Sequence, residues 1–183
     1  MQTEVIMAGF GGQGLMMIGK LLALAGLEEG KEVTWLPSYG PEMRGGTANC
    51  TVVVGDKPIG SPLTPTPKGG IVMNRPSHEK FAPAIKPGGV LVVNSSLIPD
   101  RSDRKDIRIF RIRANDIAME EGSGRSANLV VLGAYIGLDE IVQYDTLMNA
   151  IKHAFEAKKQ FLEINCKTFT RGYKLAKAGK SDE

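Results

Sequence analysis

The stretch Val5-Ile6-Met7-Ala8-Gly9-Phe10-Gly11-Gly12-Gln13-Gly14-Leu15-Met16-Met17-Ile18 decides how the chain is to be read. Val5–Ala8 is a short apolar strand, and the six residues after it follow the pattern G-x-G-x-x-G. From Leu15 to about Glu29, apolar residues fall on nearly every side of a helix, interrupted only by Lys20 before Glu28. Strand, glycine turn and helix in that order are the context the pattern requires. A helix apolar on most sides is expected to be buried on most sides. Its small residues Gly19, Ala23 and Gly26 suit close packing on a sheet or another helix, and Gly30 suits the residue that closes it.

The same alternation continues outward. Val33–Leu36 reads as a second strand and Pro37–Gly46 as a loop. Ala48–Val54 is β-rich and ends in the turn Gly55-Asp56-Lys57, and Ser61–Gly70 is irregular. Short strands are expected at Ile71–Met73, Val90–Val93 and Ile107–Ile112, with a helix over Pro76–Ile85. Helices then close the chain, at about Ala114–Glu121, Asn128–Ile136, Tyr144–Phe155 and Cys166–Ala178. Strands alternating with helices point to an α/β fold, a three-layer α/β/α Rossmann-like domain with a largely parallel sheet. The length of 183 residues fits one such domain, over 1–178, with 179–183 as a frayed tail.

Composition narrows the function. The net charge of +3 is small, and its basic excess lies in Arg101–Arg113 and Lys167–Lys180, which reads as a solvated face plus a basic tail. With 6% aromatic residues and no nucleic-acid motif, nucleic-acid binding is not expected. No apolar run is long enough to span a bilayer and the first residues do not form a secretory signal, so a cytoplasmic protein without membrane contact is expected. The two cysteines, Cys50 and Cys166, and two histidines, His78 and His153, are too few and too scattered for an iron–sulfur cluster or a structural zinc site.

The glycine loop can hold a phosphate, a pyrophosphate or a partner's carboxylate on the exposed N–H groups of the helix start, or it can be a turn that simply packs tightly. A dinucleotide site also needs an acidic residue at the end of the second strand. Thr34-Trp35-Leu36-Pro37 offers none, and Glu32 stands at the wrong end. The loop after that strand combines Tyr39, Glu42 and Arg44 among glycines. Arg44 can clamp a carboxylate or phosphate, or pair with Glu42 to order the loop, or contact another subunit.

Together the segments Gly9-Phe10-Gly11-Gly12-Gln13-Gly14 and Ser38-Tyr39-Gly40-Pro41-Glu42-Met43-Arg44-Gly45-Gly46 resemble the γ subunit of the 2-oxoacid:ferredoxin oxidoreductases. The resemblance continues in Ser61-Pro62, Met73-Asn74-Arg75-Pro76-Ser77, Asn94-Ser95-Ser96 and Asn128-Leu129-Val130-Val131-Leu132-Gly133. It implies a complex that decarboxylates a 2-oxoacid on thiamine diphosphate with Mg²⁺. Electrons pass through iron–sulfur clusters to ferredoxin, and coenzyme A takes the acyl group. The Gly55-Asp56-Lys57 turn lacks the second glycine of a thiamine diphosphate Mg²⁺ segment, and the cluster cysteines are missing. The resemblance therefore assigns those cofactors to α and β subunits and a ferredoxin-like δ subunit, leaves no catalytic or metal-binding residue in this chain, and implies that it is inactive alone. The short separate chain and the Asn74-Arg75-Pro76-Ser77 segment look most like the 2-oxoglutarate branch, with pyruvate and branched-chain or aryl 2-oxoacids as alternatives. A free-standing nucleotide-binding protein and a purely structural adaptor are the rival classes. Where the family often carries an aspartate, this chain reads Pro67-Lys68-Gly69-Gly70, which points to a looser loop.

On this reading the cleft or subunit contacts are Gly9, Gly11, Gly12, Gln13, Gly14, Tyr39, Glu42, Arg44, Asn74 and Asn94. The two asparagines also suit caps of the turns that follow their strands. Asn128 suits a helix N-cap.

Overall fold

The computed structural model describes residues 1–40 and 46–182. In chain order the elements are β1 (Gln2–Phe10), α1 (Leu15–Glu28), β2 (Glu32–Tyr39), β3 (Thr47–Gly55), β4 (Gly69–Val72), α2 (Arg75–Phe81), β5 (Val90–Asn94) and β6 (Arg108–Ile112). They are followed by α3 (Ala114–Glu120), α4 (Ala127–Leu138), α5 (Tyr144–Phe155) and α6 (Lys159–Lys177). Among the described residues no helix is long and apolar enough to cross a membrane.

The strands form one six-stranded sheet in the order β2-β3-β1-β4-β5-β6. β1, β4, β5 and β6 pair in parallel, and β3 lies antiparallel between β1 and β2. The expected largely parallel sheet is thus mixed on one side. The reason is the length of the hairpin partners: β2 runs to Tyr39, through Pro37, and pairs with β3 along its full length. Pro37 is tolerated because β2 is an edge strand and needs no outward N–H there.

Alternation along each strand sorts its residues between two cores. Val5 and Met7 of β1, Cys50 and Val52 of β3, and Val92 of β5 face the larger core, under α1, α4, α5 and α6. Ile6, Val72, Leu91 and Val93 face the other way and pack with Ala82, Ile85 and Ile98. The domain is a three-layer α/β/α structure of Rossmann type.

Helix α4 occupies the centre of the larger layer, and every residue from Ala127 to Gly137 is buried. It is covered by α6, whose buried positions Asn165, Thr168, Phe169, Gly172 and Ala176 recur at helical spacing. The two backbones cross at Gly133 and Gly172. A β-carbon at Gly133 would overlap the carbonyl oxygen of Phe169, and one at Gly172 would overlap that of Val130. α6 begins two turns earlier than expected, because its polar first turns hide the period that Phe161 and Leu162 start. α2 is shorter than expected and ends at Phe81 with Ala82 as its cap, because Pro83 has no N–H to continue the helical ladder.

Two further expectations change, on the basic run and on the Pro67–Gly70 segment. The basic run is not simply a solvated face: Arg104 donates to the carbonyls of Ala82, Pro83 and Ile85, and Arg111 to those of Ile98 and Asp100. In the tail, the Asp182 N–H donates to Arg111 O (2.8 Å) and Ser95 Oγ donates to Asp182 Oδ2 (2.6 Å). The Pro67–Gly70 segment is tight rather than loose: Lys86 N–H donates to Pro67 O, Val90 N–H to Lys68 O, and Gly69 leaves the room that the Tyr135 hydroxyl fills.

Candidate functional site

Because β2 runs parallel to β1, the carboxyl ends of β1, β2, β4, β5 and β6 share one edge of the sheet. The register Gly9↔Ala48↔Tyr39 sets Tyr39 level with the start of the glycine loop, two strands away. β1 leads through α1 to one side of the sheet, and β4 leads through α2 to the other. The gap between the ends of β1 and β4 is therefore the switch point at which open α/β sheets form a crevice. Residues 9–14 lie at that gap.

The loop is shaped from within the chain. Gly12 (φ +96°) and Gly14 (φ +74°) take left-handed conformations that a side chain resists. Gly9 has no room for a β-carbon beside Met73 Cβ (3.0 Å) and Leu15 Cδ1 (3.1 Å). Gln13 holds both sides of the crevice: its Oε1 accepts from the Phe10 N–H (2.6 Å), and its Nε2 donates to Met73 O at the end of β4 (3.3 Å). The Gly11 N–H donates to Gly46 O (2.9 Å), which joins the glycine loop to the end of the second loop. Glu42 and Arg44 lie outside the described residues, as do Pro41, Met43 and Gly45.

A cavity of about 440 Å³ opens beside the loop, lined by Gly12, Gln13, Met73, Asn115, Arg125 and Asn128 among others. Asn128 is not the N-cap of α4; that position is Ser126, and Asn128 lies in the first turn. Its Oδ1 accepts from the Leu129 N–H (3.0 Å), and its Nδ2 donates across the cavity wall to Gly14 O (3.1 Å). The contact ties the start of α4 to the start of α1. The first N–H groups of α1, on Leu15, Met16 and Met17, have no partner within the helix and suit an anion.

The strand-end asparagines have structural work at this edge. Asn74 caps α2, its Oδ1 accepting from the Ser77 N–H (2.9 Å), while its buried Nδ2 has no partner among the described residues. Asn94 accepts from the Ala114 N–H at the start of α3 (3.2 Å) and donates to Asn115 Oδ1 (2.7 Å), so it braces the cavity wall from behind. Ser96 Oγ accepts from the Asn115 N–H (3.2 Å). Tyr39 is exposed at the rim together with Phe10.

The donor set of the described residues does not fit a metal or cluster. No group of three histidine, cysteine or carboxylate side chains converges among them. Cys50 is fully buried, its Sγ donates to Leu15 O (3.5 Å), and burial pushes its thiol up to about 12. Cys166 is only half-buried, on α6, and burial raises its thiol too. Among the described residues the ribose contact of a dinucleotide has no place either: on the side of β1 away from β4 lies the antiparallel β3, which brings Thr47 and Ala48 to this edge, and β2 ends in Tyr39.

Arg125 and Asn115 are the cavity residues that the sequence does not single out. The signal was a Gly122-Ser123-Gly124-Arg125 turn directly before the most apolar helix, where a lone arginine stands among glycines. Gln13 and Asn128 are visible as residues, but their partners are 60 and 114 positions away.

Residues 4–175 match the model of the pyruvate ferredoxin/flavodoxin oxidoreductase family. Ketoisovalerate oxidoreductase subunit VorA of Methanothermobacter marburgensis is 36% identical over all of this chain, which spans only 38% of that protein. 2-Oxoglutarate synthase subunit KorC of Methanocaldococcus jannaschii is 35% identical, covering 97% of this chain and 95% of its own. The crystal structure of the keto/oxoacid ferredoxin oxidoreductase gamma subunit from Geobacter sulfurreducens superposes with a TM-score of 0.83 at 28% identity, covering 96% of this chain and 99% of that one. With a six-stranded mixed sheet, a glycine loop at its switch point and these relatives over its length, the chain belongs to the pyruvate ferredoxin/flavodoxin oxidoreductase family, as a member of γ-subunit type.

Proposed function

We propose that the chain serves in a multi-subunit 2-oxoacid:ferredoxin oxidoreductase that converts 2-oxoglutarate and coenzyme A into succinyl-CoA, CO₂ and reduced ferredoxin. The observation that carries the choice of 2-oxoglutarate is the end-to-end match to KorC, a separate subunit of nearly the same length. In this reading α and β subunits hold thiamine diphosphate and Mg²⁺, iron–sulfur clusters sit there or in a δ subunit, and this chain supplies no catalytic group. Its carboxyl edge forms one wall of a shared cleft. The first N–H groups of α1 and the Arg125 guanidinium suit the phosphates of coenzyme A, and Gln13 and Asn128 keep the loop in shape for them. Tyr39, exposed at the same edge, extends that wall toward a neighbouring subunit, and Glu42 and Arg44 are proposed from the sequence alone as further cleft or subunit contacts.

Ketoisovalerate is the second reading, favoured by the VorA likeness of 36%. The test is purification of the tagged chain from its own host, followed by viologen reduction with 2-oxoglutarate, ketoisovalerate, pyruvate and indolepyruvate. The expected pool holds three or more subunits and prefers 2-oxoglutarate in kcat/KM by at least about tenfold, or 1.4 kcal/mol. Recovery of a lone chain with no activity in the pool refutes the assignment, and preference for ketoisovalerate moves it to the second reading. In the assembled complex Arg125→Ala is expected to raise the KM for coenzyme A with little change in that for the 2-oxoacid.

A further inference from the structure

Helix α1 is more apolar than its own domain uses. Ile18, Leu21, Leu22 and Ala25 are buried against the sheet and α4, yet Leu24 and Leu27 remain 44% and 56% exposed. The expectation of a helix covered on most sides fails on its outer face. There a groove of about 780 Å³ runs between α1 and α5, floored by Met17, Leu21 and Leu24 from one helix and Ala150, Ala154 and Phe155 from the other.

The groove has direction and sign. Met17, Leu21, Leu24 and Glu28 follow one another at helical spacing, so they form a single ridge on α1. That ridge is about 16 Å long, the length of three helical turns. Lys20 and Lys158 stand at its rim, and neither has an ion-pair partner among the described residues. Glu28 is the carboxylate opposing them, while His153 faces Glu156 at 3.6 Å. Across His153 a second apolar strip, with Leu162 and Cys166, is bordered by Lys152, Lys159 and the single carboxylate of Glu156. An apolar floor with a mainly lysine border is complementary to an amphipathic helix whose apolar face is flanked by carboxylates.

We infer that the α1–α5 groove is a docking site for such an acidic amphipathic helix of a companion polypeptide, seated with its apolar face on Leu24. The site lies on the outer faces of α1 and α5 and shares with the cleft reading only Met17, by its side chain rather than its N–H. It therefore stands or falls separately from the substrate.

The probe is a fluorescein-labelled peptide of roughly eighteen residues, five helical turns, with leucine and alanine on one face and glutamate on the other. A twin with lysine in place of glutamate is the control. Anisotropy titration of the full chain is expected to show the acidic peptide binding at least about tenfold tighter than the basic one. Leu24→Asp, at an exposed position, weakens it by about tenfold or more, and the pair Lys20→Glu and Lys158→Glu reverses the preference. Leu97→Asp, on the loop after β5, leaves binding unchanged. Equal binding of the two peptides, or indifference to Leu24→Asp, overturns the proposal. So does a concentration-dependent dimer in sedimentation velocity that Leu24→Asp abolishes, because the occupant is then a second copy of the chain.

Discussion

Replacing Gly14 by alanine separates two costs that the structure lets one count. The backbone there has φ +74°, and left-handed geometry costs an L-residue about 1–2 kcal/mol. Gly12, at φ +96°, has open space where a β-carbon would go, so Gly12→Ala is expected to incur that strain alone. A β-carbon at Gly14 would also overlap Asn128 Nδ2 and lie 3.1 Å from its Cγ. Asn128 is only 2% exposed and cannot swing into water. Its amide must turn within the first turn of α4, with loss of the bond to Gly14 O and some overpacking, roughly 1–3 kcal/mol more. Gly14→Ala is therefore expected to cost about 3 kcal/mol, near 1.5 M in urea midpoint for an m-value of about 2 kcal/mol/M. Asn128→Ala alone should cost about 1–2 kcal/mol, because the Leu129 N–H loses its side-chain acceptor while Gly14 O keeps the Ile18 N–H. The double variant removes the clash, so it should be more stable than the sum of the single losses by at least about 1 kcal/mol. Urea unfolding of the four proteins measures the cycle. Additive losses, or a Gly14→Ala cost equal to that of Gly12→Ala, refute the proposed contact between the loop and α4.

Three other substitutions probe the frame around the site. Gly133→Ala gains about 1 kcal/mol of helix propensity but forces α4 and α6 apart against backbone atoms, so a net loss of about 2 kcal/mol or more is expected, some 4–8 °C in Tm; an unchanged Tm refutes the close crossing. Burial holds the His78 imidazole below its usual 6.5, with Arg111 adding to the effect, and its Nε2 has no partner among the described residues. The unfolded chain then takes up the proton first, so stability falls as pH drops below 6.5, and His78→Leu should flatten that slope in urea midpoints between pH 7.5 and 5.5, whereas parallel profiles count against the assignment. Burial alone would raise the Glu29 carboxyl, but Lys31 and the Gln143 N–H outweigh it and hold it below 4.5. The stability it contributes is present above that value and lost as pH falls through the lowered one, so the loss caused by Glu29→Gln, roughly 1 kcal/mol at pH 7, should vanish in acid.

Much of this architecture was legible in the residue order. The glycine loop, the apolar helix behind it and the alternation of strands depend on near neighbours: conformational freedom at a turn, a period of 3.6 or 2, and helix ends. Gly30 illustrates it, with φ +72° and the Lys31 N–H closing on Gly26 O as a helix terminus of that kind requires. Ala114–Glu120 and Tyr144–Phe155 form essentially where their patterns place them, because their periods are regular. The second loop was informative as a motif, and its family resemblance names the γ type that the relatives bear out.

What the sequence by itself determined, then, is the class of fold, the glycine turn between β1 and α1, and the absence of a cysteine set for a cluster. Tertiary structure decided the rest. It placed β3 antiparallel against β1 on the side away from β4, so that no parallel strand ends there to carry a ribose-binding acid. It joined Gly11 to Gly46, Gln13 to Met73 and Asn128 to Gly14, and so built the cavity wall, Arg125 included, from segments far apart in the chain. It also left Leu24 and Leu27 uncovered on a helix whose composition asks for cover. The physical reason is the same in each case: local order fixes backbone dihedrals and side-chain periodicity, whereas which strand lies beside which, and which face stays open, depends on the packing of the whole chain.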